Sequence, residues 1–177
     1  MASPRTILKT RLEGAERIAV LAVGSWLRGD DAAGLLAARE LEKRRGNAAD
    51  GARLAIFMGE TAPENLTGEI RRFAPTHLII LDAADSGGAP GDIEILGAES
   101  LGEGDSFSSH RLPLRVLTDY LRASLDCEVT IVGIQPARCE FGEEASAAAR
   151  QAARKVAAMI SAATGAAGGG PLCAKAP

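Results

Sequence analysis

Two carboxylates stand where an apolar, strand-like segment gives way to a loop. Asp31 follows the apolar run 18–23 after a glycine-bounded loop, and Asp82 closes the apolar run 77–82. A carboxylate at the end of an apolar strand is costly to bury unless it has a partner. If both strands belong to one parallel sheet, both carboxylates emerge at the same edge, where open α/β sheets bind ligands.

A third ionisable group, the imidazole of His110, precedes a predicted helix in a polar connection. Two carboxylates and one imidazole form an O,O,N set that suits a divalent transition metal such as nickel or zinc, with positions left open for water or substrate. His77 is a poorer ligand candidate, because it begins its strand and so lies at the opposite edge from Asp82.

Each candidate also has a purely structural interpretation. Asp30 or Asp31 can cap the helix that follows, and only one of them is needed for that role. Asp82 can form a hydrogen-bonded turn with Ser86. A single histidine such as His110 is often no more than a partly buried polar residue.

Other catalytic and binding motifs are missing from the sequence. There is no GxSxG elbow, HExxH, P-loop or GxGxxG motif. Gly24, Gly29 and Gly34 are spaced five apart, and the adjacent acidic pair would repel a pyrophosphate. The three cysteines are an odd number without CxxC spacing, which argues against a disulfide framework and against a cysteine-based zinc site.

The elements that must position these residues alternate between strand and helix, which predicts an α/β fold with a mostly parallel sheet covered on both faces. We expect residues 1–164 to form one domain, beginning with a loosely ordered leader over 1–16, and residues 165–177 to form a disordered tail. The predicted strands are 17–23, 54–58, 77–82, 92–96 at an edge, and 128–132. The predicted helices are 31–45 with a C-cap at Gly46, 66–73, 114–125 and 143–163.

Composition narrows the class of protein. The chain has 177 residues, 46% of them apolar, and a net charge of −3. No dense basic cluster indicates nucleic-acid binding, and no apolar stretch approaches the roughly 20 residues of a membrane span. We therefore expect a cytoplasmic protein with neither a nucleic-acid nor a membrane partner.

Five short motifs occur in order along the chain: VGxxxxGDDxxG at 23–34, TAPEN at 61–65, PTHLIILDA at 75–83, SHRLPL at 109–114 and GIQP at 133–136. In sequence and spacing they resemble the motifs of the [NiFe]-hydrogenase maturation endopeptidases, and within that family those of the hydrogenase-3 (formate hydrogenlyase) maturation proteases. The similarity runs from about Ile18 to Ile160. Two positions differ from the family pattern: Ser25 replaces the usual asparagine and Ala32 replaces a glycine.

This resemblance implies a three-layer α/β/α sandwich with a five-stranded, mostly parallel twisted sheet. It implies that Asp31, Asp82 and His110 are both the catalytic and the nickel-contacting residues. It also implies an endopeptidase that removes the C-terminal extension of a nickel-loaded [NiFe]-hydrogenase large-subunit precursor. Nickel would arrive as part of that precursor, and we expect the chain to act as a monomer.

The residues leave the mechanism open. Hydrolysis can proceed through a metal-polarised carbonyl and bound water, or through a carboxylate acting as general base. Two other functions also remain: a non-catalytic nickel-checking module that holds the precursor, and a small-molecule hydrolase that uses the same sheet edge.

Overall fold

One five-stranded sheet organises the chain in this computed structural model, which describes residues 2–44, 53–97 and 114–165. Its strands are β1 (Arg17–Val23), β2 (Arg53–Glu60), β3 (His77–Ala83), β4 (Ile93–Gly97) and β5 (Glu128–Ile134). The helices are α1 (Pro4–Arg11), α2 (Ala33–Arg44), α3 (Thr67–Phe73), α4 (Leu114–Ser124) and α5 (Ala147–Ala163), with 3₁₀ turns η1 (Gly29–Ala32) and η2 (Pro63–Leu66).

The strand order is β2-β1-β3-β5-β4. The first four strands in this order run parallel, and β4 runs antiparallel to β5 at the edge. Both the predicted mostly parallel sheet and the predicted edge strand are therefore confirmed. Parallel neighbours need crossover connections, which the helices supply.

Helices cover both faces of the sheet. Successive residues of β1 point to opposite faces, so that Ile18 and Val20 join a core cluster with α1, α2 and α5, whereas Ala19 and Leu21 join a second cluster with α3 and α4. This explains why β1 is continuously apolar rather than alternating, since both of its faces are buried. The predicted α/β/α sandwich is confirmed.

The segment 1–16 differs from the predicted loose leader, because it contains helix α1. Ser3 caps this helix by accepting a hydrogen bond from the Thr6 N–H, and Pro4 occupies its first turn. Leu8 and Leu12 are buried in the core cluster shared with α2 and α5. Ile7 also packs against this cluster. These few apolar residues, in an otherwise mostly polar segment, hold a short helix against the core.

Three helix starts also differ from prediction. The predicted helix 31–45 begins with η1 before α2 starts at Ala33, and the predicted helix 66–73 is preceded by η2. The long helix predicted from residue 143 begins only at Ala147, because the Ser146 side chain caps it by accepting a hydrogen bond from the Ala149 N–H. The predicted cap at Gly46 and the predicted tail 166–177 lie outside the described residues.

Across the three described ranges, no helix is long and apolar enough to cross a membrane.

Candidate active site

Asp31 and Asp82 lie at the carboxyl edge of the parallel sheet, on elements that are direct neighbours. Asp82 is the penultimate residue of β3, and the residue before it, Leu81, pairs with Ala22 of the adjacent strand β1. Asp31 lies in η1, which follows β1 and contacts β3. The two carboxylates are only 2% and 0% exposed. The common edge predicted from the sequence for these two residues is therefore observed.

Close backbone approaches around two glycines hold this edge together. A Cβ on Gly24, whose φ is +141°, would lie 2.1 Å from the carbonyl oxygen of Asp31. A Cβ on Gly34 would lie 2.4 Å from the carbonyl oxygen of Leu81. These glycines serve backbone-to-backbone packing of η1 and α2 against the strand ends, so a side chain at either position would displace the Asp31 segment.

The acidic residues at this edge also affect the pKa of the Cys139 thiol. Burial raises its pKa to about 11, and the negative charges of Asp31, Asp30 and Asp82 contribute to the rise. Three carboxylates from two separate segments of the chain thus act on one side chain of a third segment.

The backbone around Asp82 does not form the turn with Ser86 that was the alternative interpretation of this residue. Asp82 Oδ1 accepts a hydrogen bond of 2.8 Å from the N–H of Ala83. The N–H and the hydroxyl of Ser86 instead donate to Gln135 Oε1, at 2.8 and 3.2 Å. Ser86 therefore belongs to a different hydrogen-bond network, in the loop that leaves β3.

Asp30 has a structural role, but a different one from the helix cap that the sequence suggested for Asp30 or Asp31. Its buried carboxylate accepts hydrogen bonds from the N–H of Ala137 at 2.7 Å and from the hydroxyl of Ser146 at 2.8 Å, and also from the Ser146 N–H. Asp30 therefore ties η1 to the loop after β5 and to the first turn of α5. It does not act as a simple cap of its own helix.

We expect Asp30→Asn to destabilise the fold by about 2–3 kcal/mol, because an amide group would turn a donor toward backbone N–H donors that now have a carboxylate acceptor. Equilibrium urea unfolding measures this change. Asp126→Asn, at an exposed residue before β5, is the matched control and should change stability by no more than about 0.5 kcal/mol. Equal stabilities of the two variants would contradict the assignment of Asp30 to fold support.

Gln135 is a residue that the chemical survey of the sequence did not single out, although it lies in the GIQP motif. Its side chain is buried, with Oε1 also accepting from the N–H of Gly88 and Nε2 donating to Asp85 Oδ1 at 3.1 Å. The hydrogen bond from Gln135, followed by that from the Gly87 N–H, lowers the pKa of Asp85. One amide thus organises the loop that follows Asp82. In the sequence, the signal that could have identified Gln135 was a polar residue directly after an apolar strand.

The two departures from the family pattern fit this backbone. Ala32 ends η1, and the positive-φ residues other than glycine in the described ranges are Glu60 and Ala74. Ala32 therefore carries no left-handed strain. Ser25 places its hydroxyl 3.3 Å from the N–H of Leu27 as an acceptor, which supports the loop locally.

The third predicted ligand, His110, lies outside the described residues. His77 begins β3, so it lies at the opposite edge of the sheet from Asp82, as predicted. Among the residues that the structure describes, no group of three histidine, cysteine or acidic side chains could hold a metal ion. The described part of the site therefore offers two carboxylates. They can supply some of the ligands of a cation, or one of them can accept a proton.

Comparison with known proteins finds hydrogenase maturation proteases among the relatives. The family model described as HycI, hydrogenase maturation protease, matches residues 36–163. The hydrogenase 3 maturation protease of Escherichia coli K12 is 38% identical over 118 residues, which cover 66% of this chain and 71% of that protein.

Solved structures agree with that match. The [NiFe] hydrogenase maturation protease HycI from Thermococcus kodakarensis KOD1 superposes with a TM-score of 0.78 at 29% identity, covering 89% of this chain and 97% of that one. The hydrogenase maturating endopeptidase HybD from E. coli gives a TM-score of 0.69 at 30% identity, covering 83% and 91% of the two chains.

Proposed function

The chain belongs to the hydrogenase maturation protease family, a family of peptide hydrolases, and from this membership we infer that it removes a C-terminal extension from the precursor of a [NiFe]-hydrogenase large subunit. We propose that cleavage follows nickel insertion, so that the nickel is part of the substrate. We further propose the cytoplasm as the compartment and a monomer as the active form.

The observation that carries this proposal is the buried carboxylate pair at the carboxyl edge of the sheet. Asp31 and Asp82 arise from neighbouring elements and both are nearly inaccessible to water. Two such charges in one neighbourhood favour the approach of a cation or a proton. A substrate that brings its own divalent metal supplies such a cation.

In this proposal Asp31 and Asp82 bind the substrate's nickel through carboxylate oxygens, and His110 provides an imidazole nitrogen. A precursor without nickel would then lack the bridge that fixes its peptide against the enzyme. Metal insertion thereby licenses cleavage, because the productive position of the scissile bond depends on the metal.

Two hydrolytic routes are compatible with this pair. The carboxylates can hold the nickel against the scissile carbonyl and so polarise it toward attack by water. Alternatively, one carboxylate accepts the proton of the attacking water and returns it to the leaving amine, while the other keeps its charge.

The experiment is to incubate the purified chain with nickel-loaded and with nickel-free precursor and to follow both by mass spectrometry. We expect one shortened product with a defined C-terminus from the nickel-loaded precursor, and none from the nickel-free precursor. A stable complex without cleavage would instead identify a binding module. Turnover of a small substrate without any protein partner would identify a small-molecule hydrolase.

A further inference from the structure

Two large apolar side chains near the candidate active site are exposed to solvent. Phe141 is 78% exposed and Leu27 is 61% exposed, which makes them the most exposed large hydrophobic residues of the described ranges. Leu27 lies in the loop between β1 and η1, four residues before Asp31, and Phe141 lies in the segment between β5 and α5. We call these two residues the apolar ridge.

The ridge is held by backbone hydrogen bonds between its two segments. The N–H of Gly142 donates to the carbonyl oxygen of Leu27 at 2.8 Å, and the N–H of Gly29 donates to the carbonyl oxygen of Glu143 at 3.0 Å. Gly29 has a φ of +54°, and a Cβ there would lie 2.9 Å from the carbonyl oxygen of Arg138. The two exposed side chains are therefore mounted on a tightly joined pair of loops.

The same junction borders the acidic edge. The N–H of Asp30, the neighbour of Asp31, donates to the carbonyl oxygen of Arg138 at 3.0 Å, and Arg138 lies three residues before Phe141. The junction is therefore hydrogen-bonded directly to η1, the turn that carries Asp31. The ridge is thus continuous with the candidate active site.

Two arginines next to the ridge have partners within the protein. Arg28 Nη2 donates to the carbonyl oxygen of Cys139 at 3.1 Å, and Arg138 Nε forms an ion pair with Glu143 at 2.7 Å. The two arginines are thereby engaged, and the residues that stay exposed at the ridge are Leu27 and Phe141, with the acidic Glu140 and Glu144 beside Phe141. An apolar contact fits an apolar segment of a protein substrate better than it fits a charged peptide.

We propose that Leu27 and Phe141 form a docking ridge that binds an apolar segment of the protein substrate next to its cleavage point. This inference rests on the proposed function and adds a recognition element outside the carboxylate pair. Because the two loops are joined before binding, little backbone entropy is lost when a substrate covers the ridge.

The test uses Leu27→Ser, Phe141→Ser and the double variant, with nickel-loaded precursor as substrate. We expect each single change to raise the KM for precursor about tenfold and the double change to raise it about a hundredfold, with kcat within about twofold of wild type, as for truncated apolar anchors in interfaces. Tyr120→Ser is the matched control, because Tyr120 is an exposed aromatic residue on α4, and it should leave KM unchanged. Thermal melts check that all four variants are folded.

Direct binding of the precursor to the immobilised protein, measured in parallel, keeps this test separate from the test of cleavage. Wild-type cleavage with unchanged KM and binding in the ridge variants would overturn the ridge and leave the proposed function intact. Binding without cleavage in the wild type, weakened at least about tenfold by the ridge variants, would support the ridge while the endopeptidase assignment fails. A wild-type dimer that the ridge variants dissociate, with precursor binding unchanged, would assign the ridge to a second copy of the chain and overturn the proposal.

Discussion

Asp82→Asn is expected to lower the rate of precursor processing by a factor on the order of 10² to 10⁴ while leaving the protein folded. Asparagine keeps the shape of the side chain and an oxygen that can accept the hydrogen bond from the Ala83 N–H. It removes the negative charge that, in the proposed function, binds the substrate's nickel or accepts a proton from water. The loss should therefore fall on chemistry and not on stability.

The measurement is single-turnover processing of nickel-loaded precursor, followed by mass spectrometry, together with a thermal melt. Asp126→Asn is the control, since it makes the same chemical change at an exposed residue that precedes β5, at the opposite edge of the sheet from Asp82. We expect the control to process precursor at the wild-type rate. Processing by Asp82→Asn at that same rate would remove Asp82 from the mechanism.

Gly34→Ala is expected to destabilise the fold by about 3 kcal/mol, at the upper end of the range for overpacking. The new Cβ would lie 2.4 Å from the carbonyl oxygen of Leu81 and 2.8 Å from that of Val23. Both neighbours are backbone atoms at the ends of β3 and β1, so they cannot rotate away as a flexible side chain could. Helix α2 would have to move outward, and η1 with Asp31 would move with it.

Gly68→Ala provides a matched comparison within another helix. Gly68 lies in α3 and is exposed, and a Cβ added to it would have no neighbouring atom within 4 Å. Alanine there should stabilise the protein by about 0.5–1 kcal/mol, because glycine is a poor residue inside a helix. Urea unfolding of both variants would show opposite signs, and a loss of stability at both sites or at neither would contradict the packing explanation for Gly34.

Local pattern was enough to predict strand β3, which carries Asp82, and strand β1, which precedes Asp31. From Ile18 onward strand β1 is apolar without interruption, because helices bury both of its faces. This continuous apolar run is visible in the sequence. Parallel strands share one carboxyl edge, so the common location of the two carboxylates followed from their positions at strand ends. Helix α1 was not predicted because few apolar residues anchor it, namely Leu8 and Leu12 with the partly buried Ile7.

The sequence by itself determined the α/β class, the strands and the edge at which two acids emerge, because periodicity records which side of each element is buried. Only the tertiary structure decided that Asp30 binds Ser146, 116 positions away, that Gln135 holds the loop after β3, and that the loops of Leu27 and Phe141 join. Hydrogen-bond partners so distant along the chain leave no local periodic signal, since their meeting depends on strand order and on how the helices pack across the sheet.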